Sequence, residues 1–253
     1  MEVRLQDGRA GRRMSPAPAE VAGLPKPIGP DAASRRDFIL ANTEILSPPH
    51  VPELRLHLAS EAFGLWRRTE EELQQIGLPP PYWAFAWAGG QALARYLLDN
   101  QDIARGRTVI DIGTGCGIAA IAAAMCGAAS VAALDIDPFA LTAANLNAEL
   151  NTVAIAARII KPGEEPKSLI GSHSPASLIL LGDVFYERPL AERMQAFGKA
   201  AVADGHDVLV GDPSRAYLPA DGCLHEIASY EVPVTRALED AEIRRSRVFR
   251  FVR

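Results

Sequence analysis

Two stretches of this chain place carboxylates and small flexible residues where apolar runs end. In Val109-Ile110-Asp111-Ile112-Gly113-Thr114-Gly115-Cys116-Gly117, an apolar run carrying one acidic residue enters a loop with glycine at every second place. Glycine lets the backbone turn sharply and come close to a ligand where a Cβ would clash. A dinucleotide loop has the form G-x-G-x-x-G and rests a pyrophosphate on a helix N-terminus. Here the third dinucleotide glycine is replaced by Ile118, and Asp111 stands just before the loop. An anionic pyrophosphate is poorly served beside Asp111, whereas a cationic amine or sulfonium is well served, which favours S-adenosyl-L-methionine at Gly113, Gly115 and Gly117. About twenty residues on, an acidic residue at a strand end can accept from both ribose hydroxyls. Leu134-Asp135-Ile136-Asp137-Pro138 supplies one, and Asp135 is the residue expected there. Asp137 reads instead as a helix N-cap before a first-turn proline.

The second stretch is Leu181-Gly182-Asp183-Val184-Phe185-Tyr186-Glu187. Its position makes Asp183 and Tyr186 candidates for the reacting end of the site, with Gly182 at the cofactor. On residues alone, Asp183 as a helix cap and Phe185 and Tyr186 as core remain open. Asp212 and Arg215 follow a later apolar run and are candidates for a substrate rim, with a local ion pair as the alternative. The aromatic run Tyr82-Trp83-Ala84-Phe85-Ala86-Trp87-Ala88-Gly89-Gly90 follows Pro79-Pro80-Pro81. Its Trp87, Gly89 and Gly90 could cover the cofactor, while Trp83 and Phe85 read equally well as packing of the aromatic cluster. The five histidines lack metal-ligand spacing, and Cys116, Cys126 and Cys223 form no CxxC pair, so no metal site or disulfide framework is expected.

A scaffold must bring these groups together. Thr108–Ile112, Ser130–Leu134, Ala156–Ile160, Ser177–Leu181 and Asp207–Val210 read as short buried strands. Helical stretches alternate with them at Gly117–Met125, Pro138–Leu150 and Pro189–Val202. Such alternation means an α/β fold whose parallel sheet is covered on both faces, with ligands at the carboxyl ends of the strands. No long helix separates Tyr230–Val234 from Val248–Val252, so an antiparallel hairpin on the sheet edge is expected. Residues 1–34, rich in Pro, Ala, Gly and Arg, read as a disordered tail, 35–105 as an N-terminal helical cap with a helix opening at Thr69, and 106–253 as the catalytic core.

Hydrophobic residues make up 48% of the 253 residues, enough for a sizeable core, and the net charge of −5 gives no electrostatic footprint for nucleic acid. No apolar run approaches the ~20 residues that span a bilayer. The arginines near the N-terminus sit among Glu2 and Asp7. A cytoplasmic location is therefore expected, or the mitochondrial matrix if the chain is eukaryotic.

From about Phe38 onward the chain resembles the seven-strand methyltransferases that methylate lysines in the β-subunit of electron transfer flavoprotein. The resemblance is carried by PPPYWAFAWAGGQALARYLLDN at Pro79–Asn100, DIGTGCG, LDIDP, LLGDVFYERPLAERM at Leu180–Met194, and VGDPSRAYLP at Val210–Pro219. It implies a Rossmann-like, mostly parallel sheet of seven strands with an antiparallel C-terminal edge, S-adenosyl-L-methionine as cofactor, and the flavoprotein β-subunit as protein partner. It also implies that the acidic residue of D-x-x-Y, here Asp183, is needed for activity. Two departures stand out. The stretch Lys167-Ser168-Leu169-Ile170-Gly171 lacks the acidic residue the family often places near the adenine, and the third place of DP-x-R, usually glycine, is Ser214. A small-molecule amine methyltransferase, or a non-catalytic cofactor-binding protein on this fold, would share the cofactor residues.

Overall fold

The computed structural model describes residues 28–59, 79–164, 168, 170, 176–234 and 241–252. Most of the expected tail, the helix expected to open at Thr69, and Lys167, Leu169 and Gly171 lie outside the described residues.

Helix α1 (Ala32–Ala41) begins inside the stretch expected to be tail. Asp31 caps it, accepting from the Ser34 amide at 2.9 Å and the Ser34 hydroxyl at 2.7 Å. Strands β1 (Glu44–Leu46) and β2 (Leu56–Leu58) form an antiparallel hairpin. Helix α2 (Ala88–Asp99) follows the aromatic run, with Leu93 and Leu97 buried.

The central sheet contains β3 (Thr108–Ile112), β4 (Ser130–Asp135), β5 (Ala156–Ile159), β6 (Leu178–Gly182), β7 (Asp207–Asp212), β8 (Leu224–Pro233) and β9 (Ile243–Phe251). Its order is β5-β4-β3-β6-β7-β9-β8. The first five strands are parallel, and β9 runs antiparallel to both β7 and β8. This is the expected sheet of seven strands with an antiparallel C-terminal edge. The hairpin is longer than its apolar residues suggest, because Arg244, Arg245 and Arg247 interrupt the apolar pattern of β9 while its backbone stays paired with β8. The crossovers are α3 (Ile118–Met125), α4 (Pro138–Leu150) and α5 (Arg188–Ala203).

Alternation along each parallel strand feeds two cores. Val109, Leu178, Leu180 and Leu209 face one side with α2 and α3, while Ile110, Ile112, Ile179, Leu181, Val208 and Val210 face the other with α5. Ala119, Ala120, Ala122 and Ala123 of α3 are buried and the helix packs against α2, whose small first residues let it lie close on the sheet. A third core joins Phe38 and Ile39 of α1 to Trp83, Ala84 and Phe85 and to Phe139 of α4. Trp83 is fully buried and stacks on Phe139 at 5.9 Å, so the Trp83 end of the aromatic run is packing. Removing a side chain such as Leu180 from these cores costs about 2–5 kcal/mol. Among the described residues no helix is long and apolar enough to cross a membrane.

Because the five parallel strands share a direction, the loops after β3, β4, β6 and β7 meet at one sheet edge. The N-terminus of α2 reaches the same edge. A Cβ on Gly89 would run into the Gly211 carbonyl and the Asp183 carboxylate, and one on Gly211 would run into the Gly89 carbonyl.

Candidate active site

The loop after β3 is held open by its glycines. Gly113, Gly115 and Gly117 have φ of 73°, 53° and 83°, a region that side-chain-bearing residues rarely enter. The Gly113 and Thr114 amides donate to the Leu134 carbonyl at 2.8 and 3.1 Å, which ties the loop to the end of β4. A Cβ on Gly117 would press on Ala144 of α4, whereas nothing lies within 4 Å of one on Gly115. The loop therefore presents bare backbone to an open space at Gly115, as a closely approaching ligand requires.

Two carboxylates belong to this half. Asp111 is buried under the loop, where Oδ2 accepts from the Thr114 hydroxyl at 2.6 Å. Burial pushes its carboxyl up to about 6, against the Thr114 hydrogen bond. Asp135 ends β4; it accepts from the Gly115 amide at 3.0 Å and, through its other oxygen, from the Asp137 amide at 3.0 Å. Burial raises this carboxyl as well. Asp137 caps α4 through the Phe139 amide at 2.8 Å, with Pro138 in the first turn. Between them Ile136 is 76% exposed, an apolar surface that a flat ring could cover. An exposed isoleucine between two aspartates is legible in LDIDP, yet sequence reading passed over it.

The loop after β6 supplies the other half. Asp183 takes a left-handed φ of 56°, which aspartate tolerates better than most residues, and its amide donates to the Gly211 carbonyl at 2.9 Å. Its Oδ2 accepts from the Gly90 amide in the first turn of α2 at 2.8 Å. Its Oδ1 accepts from Arg215 Nη2 at 2.8 Å and Nε at 3.2 Å. Asp183 is thus gripped by a helix N-terminus and a guanidinium, and caps α2 rather than the helix that follows it in sequence. Gly182, expected at the cofactor, lies 3.4 Å from Gly90 by its Cβ position, so its smallness also serves the approach of α2.

Asp212 and Arg215 are joined by a turn. The Arg215 amide donates to Asp212 Oδ1 at 2.7 Å, and Asp212 Oδ2 is buried with no partner among the described residues. Burial pushes the Asp212 carboxyl up to about 7, and the Asp183 charge adds to it. Ser214 in this turn has φ 71°, a left-handed conformation that glycine adopts at less cost than serine. The Ser214 hydroxyl accepts from Arg247 of β9 at 2.9 Å. The Arg215 guanidinium also lies over Trp87 at 5.6 Å. Trp87, expected at the cofactor, therefore sits against the Asp183–Arg215 pair, with its Nε1 donating to the Tyr82 carbonyl at 2.9 Å. Tyr82 lies between Trp87 and Tyr186, with ring centroids 6.0 and 5.6 Å away. Burial pushes the partly exposed Tyr186 hydroxyl up to about 12, with Tyr82, Glu187 and Asp135 adding, so it stays protonated.

The halves touch where Val184 lies 3.3 Å from the Cβ position of Gly113. Between them, burial pushes the Cys116 thiol up to about 12, with both Asp111 and Asp183 adding, which leaves it no role as a nucleophile. Asn147, absent from the expected residues, is fully buried in α4. It donates to the Cys116 carbonyl at 2.8 Å and accepts from the His57 amide of β2 at 2.6 Å, tying the loop to the hairpin. Among the described residues no cluster of His, Cys, Asp or Glu could hold a metal ion. The arrangement suits a cationic ligand on bare glycine backbone beside a fixed carboxylate at the sheet edge.

Known proteins share this chain's pattern. Residues 91–180 match the family described as ribosomal protein L11 methyltransferase (PrmA). The chain is 40% identical over 253 residues to the electron transfer flavoprotein beta subunit lysine methyltransferase of Xenopus laevis, a match covering 98% of this chain and 99% of that protein. The protein of that name from Homo sapiens is 36% identical over 222 residues, covering 85% of this chain and 80% of its own length. Among solved structures, the ribosomal protein L11 methylase from Lactobacillus delbrueckii subsp. bulgaricus is 21% identical and covers 67% of this chain and 80% of its own, with a TM-score of 0.45.

Proposed function

Since this chain belongs to the electron transfer flavoprotein beta subunit lysine methyltransferase family, we propose that it methylates a lysine side chain of the electron transfer flavoprotein β-subunit. The protein is an S-adenosyl-L-methionine-dependent methyltransferase. The observation that carries the finer reading is Asp183. It is a carboxylate held by the Gly90 amide and Arg215 at the open sheet edge, one strand over from the glycine loop.

The residues present fit the cofactor. Gly113 and Gly115 offer backbone, and nothing fills the space beside Gly115. Asp135 stands at the strand end to accept from ribose hydroxyls, Ile136 offers a surface for the adenine, and Asp111 adds negative charge beneath the loop. When bound, S-adenosyl-L-methionine supplies a methyl group made electrophilic by its sulfonium. Little covalent catalysis is then asked of the protein, and alignment supplies much of the rate.

An ammonium has no lone pair to offer, so the lysine must lose its proton before transfer. Desolvation among Tyr82, Trp87 and Tyr186 lowers the affinity of the amine for that proton, which passes to water. Asp183 already accepts hydrogen bonds on both oxygens. Its part is to orient the amine and to stabilise the positive charge that builds on nitrogen. Tyr186, packed beside Tyr82, presents a protonated hydroxyl on the acceptor side.

The test offers purified protein, with isotopically labelled S-adenosyl-L-methionine, to electron transfer flavoprotein from the same cell, with the product mapped by mass spectrometry. Label on a β-subunit lysine, lost in Asp183→Ala, is the expected result. An enzyme that binds the cofactor but leaves every β-subunit lysine unlabelled would overturn the substrate and turn the search to small amines.

A further inference from the structure

A carboxylate facing the target amine creates a conflict. Asp183 can orient the amine, but a bare negative charge within about 4–6 Å favours the protonated, unreactive form. Asp183 is not bare. Arg215 puts two donors of its guanidinium on Oδ1, at 2.8 and 3.2 Å. The positive end of α2 meets Oδ2 through the Gly90 amide. The arginine is itself placed: its amide is bonded to Asp212, and its guanidinium rests on the Trp87 face.

We propose that Arg215 is a positioning residue for methyl transfer, whose guanidinium balances the charge of Asp183 so that the incoming lysine meets a neutral pair and can give up its proton. The inference rests on the lysine reading above. Asp183 keeps its geometry as a hydrogen-bond acceptor, through which it steadies the partial charge that builds on nitrogen during transfer, while the paired cation weakens its hold on a full ammonium beforehand. The step balances simply. The proton leaves nitrogen for water; the freed lone pair then forms the N–CH₃ bond as the S–CH₃ bond breaks, its electrons passing to sulfur. Arg215 takes no proton at any point, since a guanidinium stays charged.

The charged and titratable groups around the pair come from six elements. Asp212 lies on β7 beneath Arg215, and Arg247 of β9 reaches the same turn through Ser214. Tyr186 and Glu187 follow Asp183 on its own loop, while Asp135 from β4 and Cys116 from the glycine loop act across the site. Tyr82 packs on Tyr186 from the aromatic run. Burial pushes Asp212 up to about 7, and Asp212 Oδ1 meets the Arg215 backbone amide, whereas Asp183 meets the guanidinium itself. Arg215 lies in direct ionic contact with the Asp183 carboxylate, at 2.8 Å.

The test is the pH dependence of kcat/KM for flavoprotein methylation by wild type, Arg215→Gln and Arg215→Lys. Calorimetric titration with S-adenosyl-L-methionine is run on each protein. In Arg215→Gln the acid limb should move up by about one to three pH units, the size of a nearby charge effect. That is about a tenfold loss per unit below the limb, recovered as pH rises. Arg215→Lys should keep the limb near its wild-type position, because the cation remains. Cofactor affinity should change by less than about twofold in both, since Arg215 stands on the acceptor side. A uniform loss at every pH with an unmoved limb would overturn the proposal and leave Arg215 a structural prop. So would a limb that moves equally in Arg215→Lys. Wild-type protein that labels no lysine would instead sink the substrate reading itself, a result visible before any variant is compared.

Discussion

The two halves of the site handle buried carboxylates in opposite ways. After β3 and β4, Asp111 and Asp135 are satisfied by loop amides and a threonine hydroxyl, and burial raises both. After β6, Asp183 is gripped by a guanidinium and a helix N-terminus. The first half keeps negative charge for a ligand that brings its own cation. The second has balanced its charge in advance, which suits a partner that must arrive neutral. Under the proposed function, holding a cation and promoting loss of a proton fall to different halves, two tasks that a single carboxylate would perform against each other.

Removing the charge of Asp183 is the harshest way to break this contrast. Asp183→Asn keeps the shape but loses stabilisation of the growing positive charge, and one such preorganised group is worth about 10²–10³ in kcat. The expected result is that loss at saturating substrate, with calorimetric cofactor affinity unchanged. A comparable fall in cofactor affinity would show that the halves do not divide the labour.

Glycine substitutions separate the halves through stability. Gly89→Ala drives a Cβ into the Gly211 carbonyl and the Asp183 carboxylate, and backbone cannot yield cheaply. Overpacking of this kind costs about 1–3 kcal/mol, read by urea unfolding. Gly115→Ala meets open space and pays only for its φ of 53°, about 1–2 kcal/mol. Its larger effect should be on cofactor binding, because the new methyl group occupies the space left for the ligand.

The Asp111 carboxyl supplies the pH test. Its folded value of about 6 lies above the ordinary carboxylate range, so the folded protein is protonated there where the unfolded chain is not. Stability from this group therefore falls as pH rises from about 4 through about 6, by at most about 1.4 kcal/mol per unit crossed. Cofactor affinity moves the other way, since a cation prefers the ionised carboxylate. S-adenosyl-L-methionine should bind more weakly at pH 5 than at pH 8, and Asp111→Asn should flatten that slope. A slope that survives the substitution would assign the effect to Asp135.

How much of this was legible in the sequence follows the same division. The cofactor half is built from contacts close along the chain: Thr114 to Asp111 spans three residues and Gly115 to Asp135 twenty, so one motif contains most of the geometry. The parallel strands were legible because each is a short apolar run between helical stretches. The acceptor half joins residues far apart: Gly90 to Asp183 spans 93 residues and Arg215 to Asp183 spans 32. Nothing in the local pattern pairs them, nor does it place Trp87 against Arg215. Asn147 was invisible for a related reason. A lone asparagine in mid-helix has no motif, and its bonds reach 31 and 90 residues away.

The turn at Ser214 gives the smallest effect and the finest control on the comparison. A left-handed φ of 71° costs a non-glycine residue about 1–2 kcal/mol, which Ser214→Gly would relieve. Against that gain stand the greater freedom of glycine in the unfolded chain, about 0.5–1 kcal/mol, and the lost hydrogen bond from Arg247. The terms nearly cancel, so unfolding free energy should change by less than about 0.5 kcal/mol and kcat/KM by less than about twofold. Ser214→Val keeps the strain, adds a branch at Cβ and offers no acceptor to Arg247, so it should lose stability and kcat/KM together as the turn shifts Arg215 away from Asp183. If the valine variant loses stability but keeps the wild-type acid limb, the turn holds the fold without setting the charge pair, and the balance at Asp183 must rest on the grip of α2.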